Sequence, residues 1–137
     1  MIFGNKPSKP QNRIDTLVGV ETRVVGDVNF SGGLRVDGQI RGNVTATGDK
    51  PSTLVLSEDA RIEGTIRVSH VVINGTVVGP VHATEYAELQ AKSRVSGDVH
   101  YKTLEMHMGA IVEGKLVHME GTSEEAFIGQ PAIDQSA

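Results

Sequence analysis

One five-residue phrase recurs six times between Val24 and Leu116: an aliphatic residue, any residue, glycine, any residue, an aliphatic residue. Its six copies are centred on Gly26, Gly42, Gly64, Gly79, Gly97 and Gly114, and all twelve flanking positions are Val, Ile or Leu. The intervening residues are mostly polar, Val25, Val78 and Pro80 excepted. Apolar and polar positions therefore alternate with the period of a strand on either side of a residue free to turn a corner.

The phrase glycines lie 16, 22, 15, 18 and 17 residues apart, and the long interval contains the turn-rich insertion Gly48-Asp49-Lys50-Pro51-Ser52. Short strands with glycine corners at a period near 17 predict an all-β, three-sided parallel β-helix of about six coils. One inward ladder would hold Val28, Val44, Ile66, Val81, Val99 and Leu116; another would hold Val24, Ile40, Ile62, Val77, Val95 and Val112. Leu34, Val36, Leu54, Leu56, Val71, Ile73, Leu89 and Leu104 are expected to fill the remaining sides. A β-sandwich also recurs in short strands, but its hairpins do not need glycine within every phrase.

The flanks differ. Residues 1–13 hold two prolines, three cations and no periodicity after an apolar start, which predicts a flexible N-terminal arm. The β-helical domain is expected over 14–121, followed by a flexible polar tail over 122–137. The tail carries the isolated Phe127 and Ile128.

Composition narrows the function. A net charge of −4 with 13 Lys plus Arg offers no basic footprint for nucleic acid. The absence of cysteine fits a reducing cytoplasm, and no apolar run approaches the roughly 20 residues of a membrane span. Around Gly42 and Gly48 the spacing of a phosphate-binding P-loop fails, since Asp49 separates Gly48 from Lys50. No nucleotide or other cofactor is expected. His82 and His100 each follow a phrase glycine by three residues, so they should stack outward in neighbouring coils. Arg67 and Val117 occupy the equivalent places on either side, leaving that pair without an acidic third ligand. His70, His107 and His118 share no register in this reading, and no two carboxylates are fixed by spacing. Neither a metal site nor a catalytic set is predicted.

A β-helix leaves open backbone edges on its first and last coils, and such edges invite another chain unless something covers them. No capping helix is written before Val24 or after Leu116. End-to-end self-association is the direct expectation, with Val18, Val20, Val24 and Val28 at one end and Ile111, Val112 and Leu116 at the other.

The stretch Val28-Asn29-Phe30-Ser31-Gly32-Gly33-Leu34-Arg35-Val36-Asp37-Gly38-Gln39-Ile40-Arg41-Gly42-Asn43-Val44 resembles an early signature of the bactofilins, bacterial cytoskeletal proteins. Gly109-Ala110-Ile111-Val112-Glu113-Gly114 is similar to their closing motif, although the family often has a larger apolar residue at the place of Ile111. The resemblance implies a right-handed β-helix that polymerises without nucleotide into apolar filaments joined through like ends. It also implies attachment to the inner face of the cytoplasmic membrane, scaffolding of cell-wall enzymes and an influence on cell shape. Met1-Ile2-Phe3 with Lys6 and Lys9 looks like the family's membrane-targeting segment. Two other readings stand beside this one. A monomeric β-helical binding rod differs only in not polymerising. A hexapeptide-repeat acyltransferase would need intervals in multiples of six, unlike those observed.

Overall fold

The computed structural model describes residues 13–119, and within them every strand pairs in parallel and no helix occurs. Residues 1–12 and 120–137 lie outside the described part, so the expected arm and tail, Phe127 included, are not placed. The chain winds as six coils of three faces each. Coil one comprises β1 (Thr16–Val18), β2 (Arg23–Val25) and β3 (Val28–Phe30); coil two comprises β4 (Gly33–Val36), β5 (Gln39–Arg41) and β6 (Val44–Ala46). Coil three begins with β7 (Thr53–Leu56) and β8 (Arg61–Glu63) and runs into β9 (Ile66–Ile73), which turns the corner into coil four. β10 (Thr76–Val78) follows, and β11 (Val81–Leu89) likewise passes from coil four into coil five. β12 (Arg94–Ser96) and β13 (Val99–Tyr101) complete coil five; β14 (Leu104–Met106), β15 (Ile111–Glu113) and β16 (Leu116–His118) form coil six.

β2, β5, β8, β10, β12 and β15 form one six-stranded face. The other two faces share β9 and β11 and so merge into a ten-stranded sheet. Both predicted ladders are present in register: Val24, Ile40, Ile62, Val77, Val95 and Val112 align on the first of these sheets. Val28, Val44, Ile66, Val81, Val99 and Leu116 align on the second. Leu34, Ile40, Leu54, Ile62, Ile66, Ile73 and Leu89 are wholly buried, each worth about 1.5–3 kcal/mol of transfer free energy. Val24, Val28, Leu104 and Val112 are only partly buried because no further coil covers them.

The phrase glycines form a column of their own. A Cβ on Gly42 would strike the carbonyl oxygen of Gly26, and the same clash recurs from Gly64 to Gly42, Gly79 to Gly64, Gly97 to Gly79 and Gly114 to Gly97. The coils approach so closely at this corner that glycine is required by contact as well as by dihedral angle, as at Gly64, where φ is 154°. The next position stitches neighbouring coils. The Asn43 N–H donates to Asp27 Oδ1, the Thr65 N–H to Asn43 Oδ1 and the Lys115 N–H to Asp98 Oδ1, each at 2.9 Å. Pro80 has no N–H to offer, so the stitching lapses there.

Candidate assembly surfaces at the two ends

Interior strands of the solenoid have a neighbour on both sides. The terminal ones do not: among the described residues, β1 pairs with β4 alone, β2 with β5 and β3 with β6. At the opposite end β14 pairs with β11 alone, β15 with β12 and β16 with β13. Each end therefore presents three outer strand edges whose backbone groups no described strand pairs, the kind of edge that another chain can join.

Apolar exposure follows the same division. Of nine exposed large hydrophobic residues among those described, Ile14, Leu17, Val20 and Val25 lie at the first coil, and Met106, Met108, Ile111 and Leu116 on the last. Only Val78 lies between. Val25 and Met108 are 76% and 94% exposed, whereas the interior coils bury nearly all their aliphatic side chains. Apolar side chains cluster where strand edges are unpaired.

The expected interface residues occupy these ends in different ways. Val20 lies exposed in the turn between β1 and β2, while Val24 and Val28 are half-buried with no described residue stacked on their outer side. Val18 points inward and is 7% exposed, so only its backbone lies on the edge. Ile111 and Leu116 are exposed and Val112 is half-buried. Leu17, Met106 and Met108 belong to the same surfaces but went unassigned from sequence, since an outward or turn position carries no phrase signal. Met1, Ile2, Phe3, Lys6 and Lys9 fall outside the described residues.

Charge fixes the first coil to the second. Asp15 Oδ2 accepts the Gly33 N–H at 3.0 Å and Asp15 Oδ1 accepts from Arg13 Nε at 2.9 Å, which together hold its carboxyl below the ordinary range. On the six-stranded face Arg61 and Arg41 converge on Glu63 at 2.7 and 3.4 Å, lowering that carboxyl too.

Away from the ends, three groupings of functional side chains stand out. His82 and His100 stack with ring centroids 4.4 Å apart and planes 9° from parallel, as their shared register predicts. Burial, then the neighbouring His100 and Arg67, lower the His82 pKa. The inserted 48–52 loop overhangs a cavity of about 420 Å³ lined by Lys50, Arg67, His70, His82 and Glu85 among others. Beneath it Ser69 Oγ donates to the Ser52 carbonyl at 2.8 Å and lies 2.9 Å from His70 Nδ1, so its proton ties down the loop. On the face built by β11 and β14, Glu88 and Glu105 stand side by side in register, with His107 two residues further on. Sequence reasoning found neither that carboxylate pair nor a register for His107.

Comparison with known proteins accords with this architecture. Residues 16–117 match the family model of the bactofilins, described as polymer-forming cytoskeletal proteins. The chain is 27% identical over 116 residues to bactofilin BacP of Myxococcus xanthus (strain DK1622). That alignment covers 85% of this chain and 47% of the relative, so the chain spans about half the relative's length. No solved structure matches.

Proposed function

The chain belongs to the bactofilin family of polymer-forming cytoskeletal proteins, and on that premise we propose that it assembles end to end into filaments without nucleotide. The supporting observation is the coincidence of unpaired strand edges with eight exposed large apolar side chains on the first and last coils. Docking two such ends would continue the ladders across subunits and remove apolar surface from water in the same step. Like ends meeting gives a filament without overall polarity. Six coils at about 4.8 Å each make a protomer roughly 29 Å long.

In this reading the filament lies on the inner face of the cytoplasmic membrane and recruits cell-wall enzymes, thereby affecting cell shape. Met1, Ile2 and Phe3 would insert while Lys6 and Lys9 meet anionic headgroups, at roughly 1 kcal/mol per cation. One arm binds weakly, but a filament displays many and gains by avidity. The polymer reading is tested by sedimenting the purified chain without nucleotide. Pelletable polymer is expected; a chain that stays monomeric at every concentration would favour the binding-rod reading instead.

A further inference from the structure

We propose that Glu88, Glu105 and His107 form a binding site for a first-row divalent cation of the zinc class, independently of whether the ends polymerise. The backbone builds the site. Residues two apart on a strand share a face, which places His107 beyond Glu105 on one side of the sheet; parallel in-register pairing sets Glu88 beside Glu105. His107 Nε2 lies 3.1 Å from Glu105 Oε2 and 3.3 Å from Glu88 Oε2. All three ligand atoms fall within 4.8 Å of one another.

The two separations from His107 suit a metal. Three donors each about 2.0–2.2 Å from one ion, in tetrahedral or octahedral arrangement, stand about 3.0–3.6 Å apart. One imidazole nitrogen with two carboxylates suits a borderline cation and leaves coordination positions for water.

Tyr86 sits outside the donor triangle, and Gln90 steadies one of its oxygens. Tyr86 Oη lies 3.1 Å from Glu88 Oε1 and 2.8 Å from Glu105 Oε1, the oxygens turned away from His107. Gln90 Nε2 donates to Glu88 Oε2 at 2.9 Å. Among the described residues, two carboxylates thus share one hydroxyl proton, one amide donor and one imidazole nitrogen, an arrangement poor in positive charge for its anions. A divalent cation supplies that charge and takes the place of any proton on Nε2. Partners that fix ligand orientation in this way are characteristic of metal sites. Because the donors come from β11, from β14 and from the residue just after β14, the ion would also tie the last coil to the one before it.

The test is calorimetric titration of zinc chloride into the full chain, with cobalt(II) absorption as a second probe of the coordination geometry. One ion per chain is expected, with uptake lost in His107→Ala and Glu105→Gln. Tyr86→Phe should weaken it about 10- to 100-fold, and His82→Ala should leave it unchanged. His107 and Glu105 have side chains 41% and 56% exposed, so neither substitution threatens folding. Absence of saturable uptake by the unaltered chain, or equal uptake by the Glu105→Gln/His107→Ala double variant, would overturn the site.

Discussion

A Cβ on Gly42 would collide with the carbonyl oxygen of Gly26, whereas a Cβ on Gly26 would meet nothing within 4 Å. The two glycines occupy the same corner one coil apart. They differ in whether a coil stacks on their outer side.

That difference predicts unequal costs. Gly64→Ala meets both a positive φ and the Gly42 backbone, and should lose about 2–5 kcal/mol of stability from strain and overpacking together. Gly26→Ala meets only the φ of 131° and should lose about 1–3 kcal/mol, yet its methyl projects from the open end. Urea midpoints on the two variants should fall in that order, with Gly26→Ala also impairing assembly. Equal midpoints would mean that close stacking does not set the glycine column.

Burial divides the aliphatic residues in the same manner. Ile62 is wholly buried in the middle of the rod, so Ile62→Ala should cost about 2–5 kcal/mol. Leu17 points outward from the first coil at 57% exposure, so Leu17→Ala should leave thermal unfolding of the isolated protomer within about 0.5 kcal/mol. Its effect should appear in polymer yield.

Acid should loosen the rod near the inserted loop. Burial lowers the pKa of His70, and burial with the charges of His100 and Arg67 lowers that of His82, both from 6.5. The unfolded chain then binds more protons than the folded one, so the stability present above 6.5 is lost as pH falls through the folded values. The unfolding midpoint should drop between about pH 7.5 and pH 5.5, and drop less in His82→Gln. A midpoint flat across that range would contradict the assignment.

The N-terminal arm is open to direct deletion. Removing residues 2–9 should abolish co-sedimentation with anionic liposomes while leaving polymer formation intact. Undiminished pelleting with liposomes would take Ile2, Phe3, Lys6 and Lys9 out of the account.

Two faces of the solenoid were legible in the sequence because the corner between them never varies: a phrase glycine and one further residue join Val25 to Val28, and likewise in every coil. The His82–His100 stack follows from that constant corner. The corner that leads from each coil into the next has no fixed length. It contains the 48–52 insertion in one coil, is continuous strand at Ser69, and carries a register shift between Ala83 and Tyr86. Phase measured from the glycines is lost in crossing it, which hid the pairing of Glu88 with Glu105 and the place of His107. Outward side chains at the ends, such as Leu17 and Met108, were illegible for a different reason. Their exposure depends on which coil is last, and no local pattern states that.

End-to-end assembly can be seen by negative-stain electron microscopy of the purified full chain, with neither nucleotide nor metal added, beside Leu116→Arg. Long thin filaments are expected from the unaltered chain and short or absent ones from the variant, whose buried charge would prevent docking of the last coil. Monodisperse protomers from the unaltered chain, or filaments undiminished by Leu116→Arg and by the equivalent change at Val112, would contradict it.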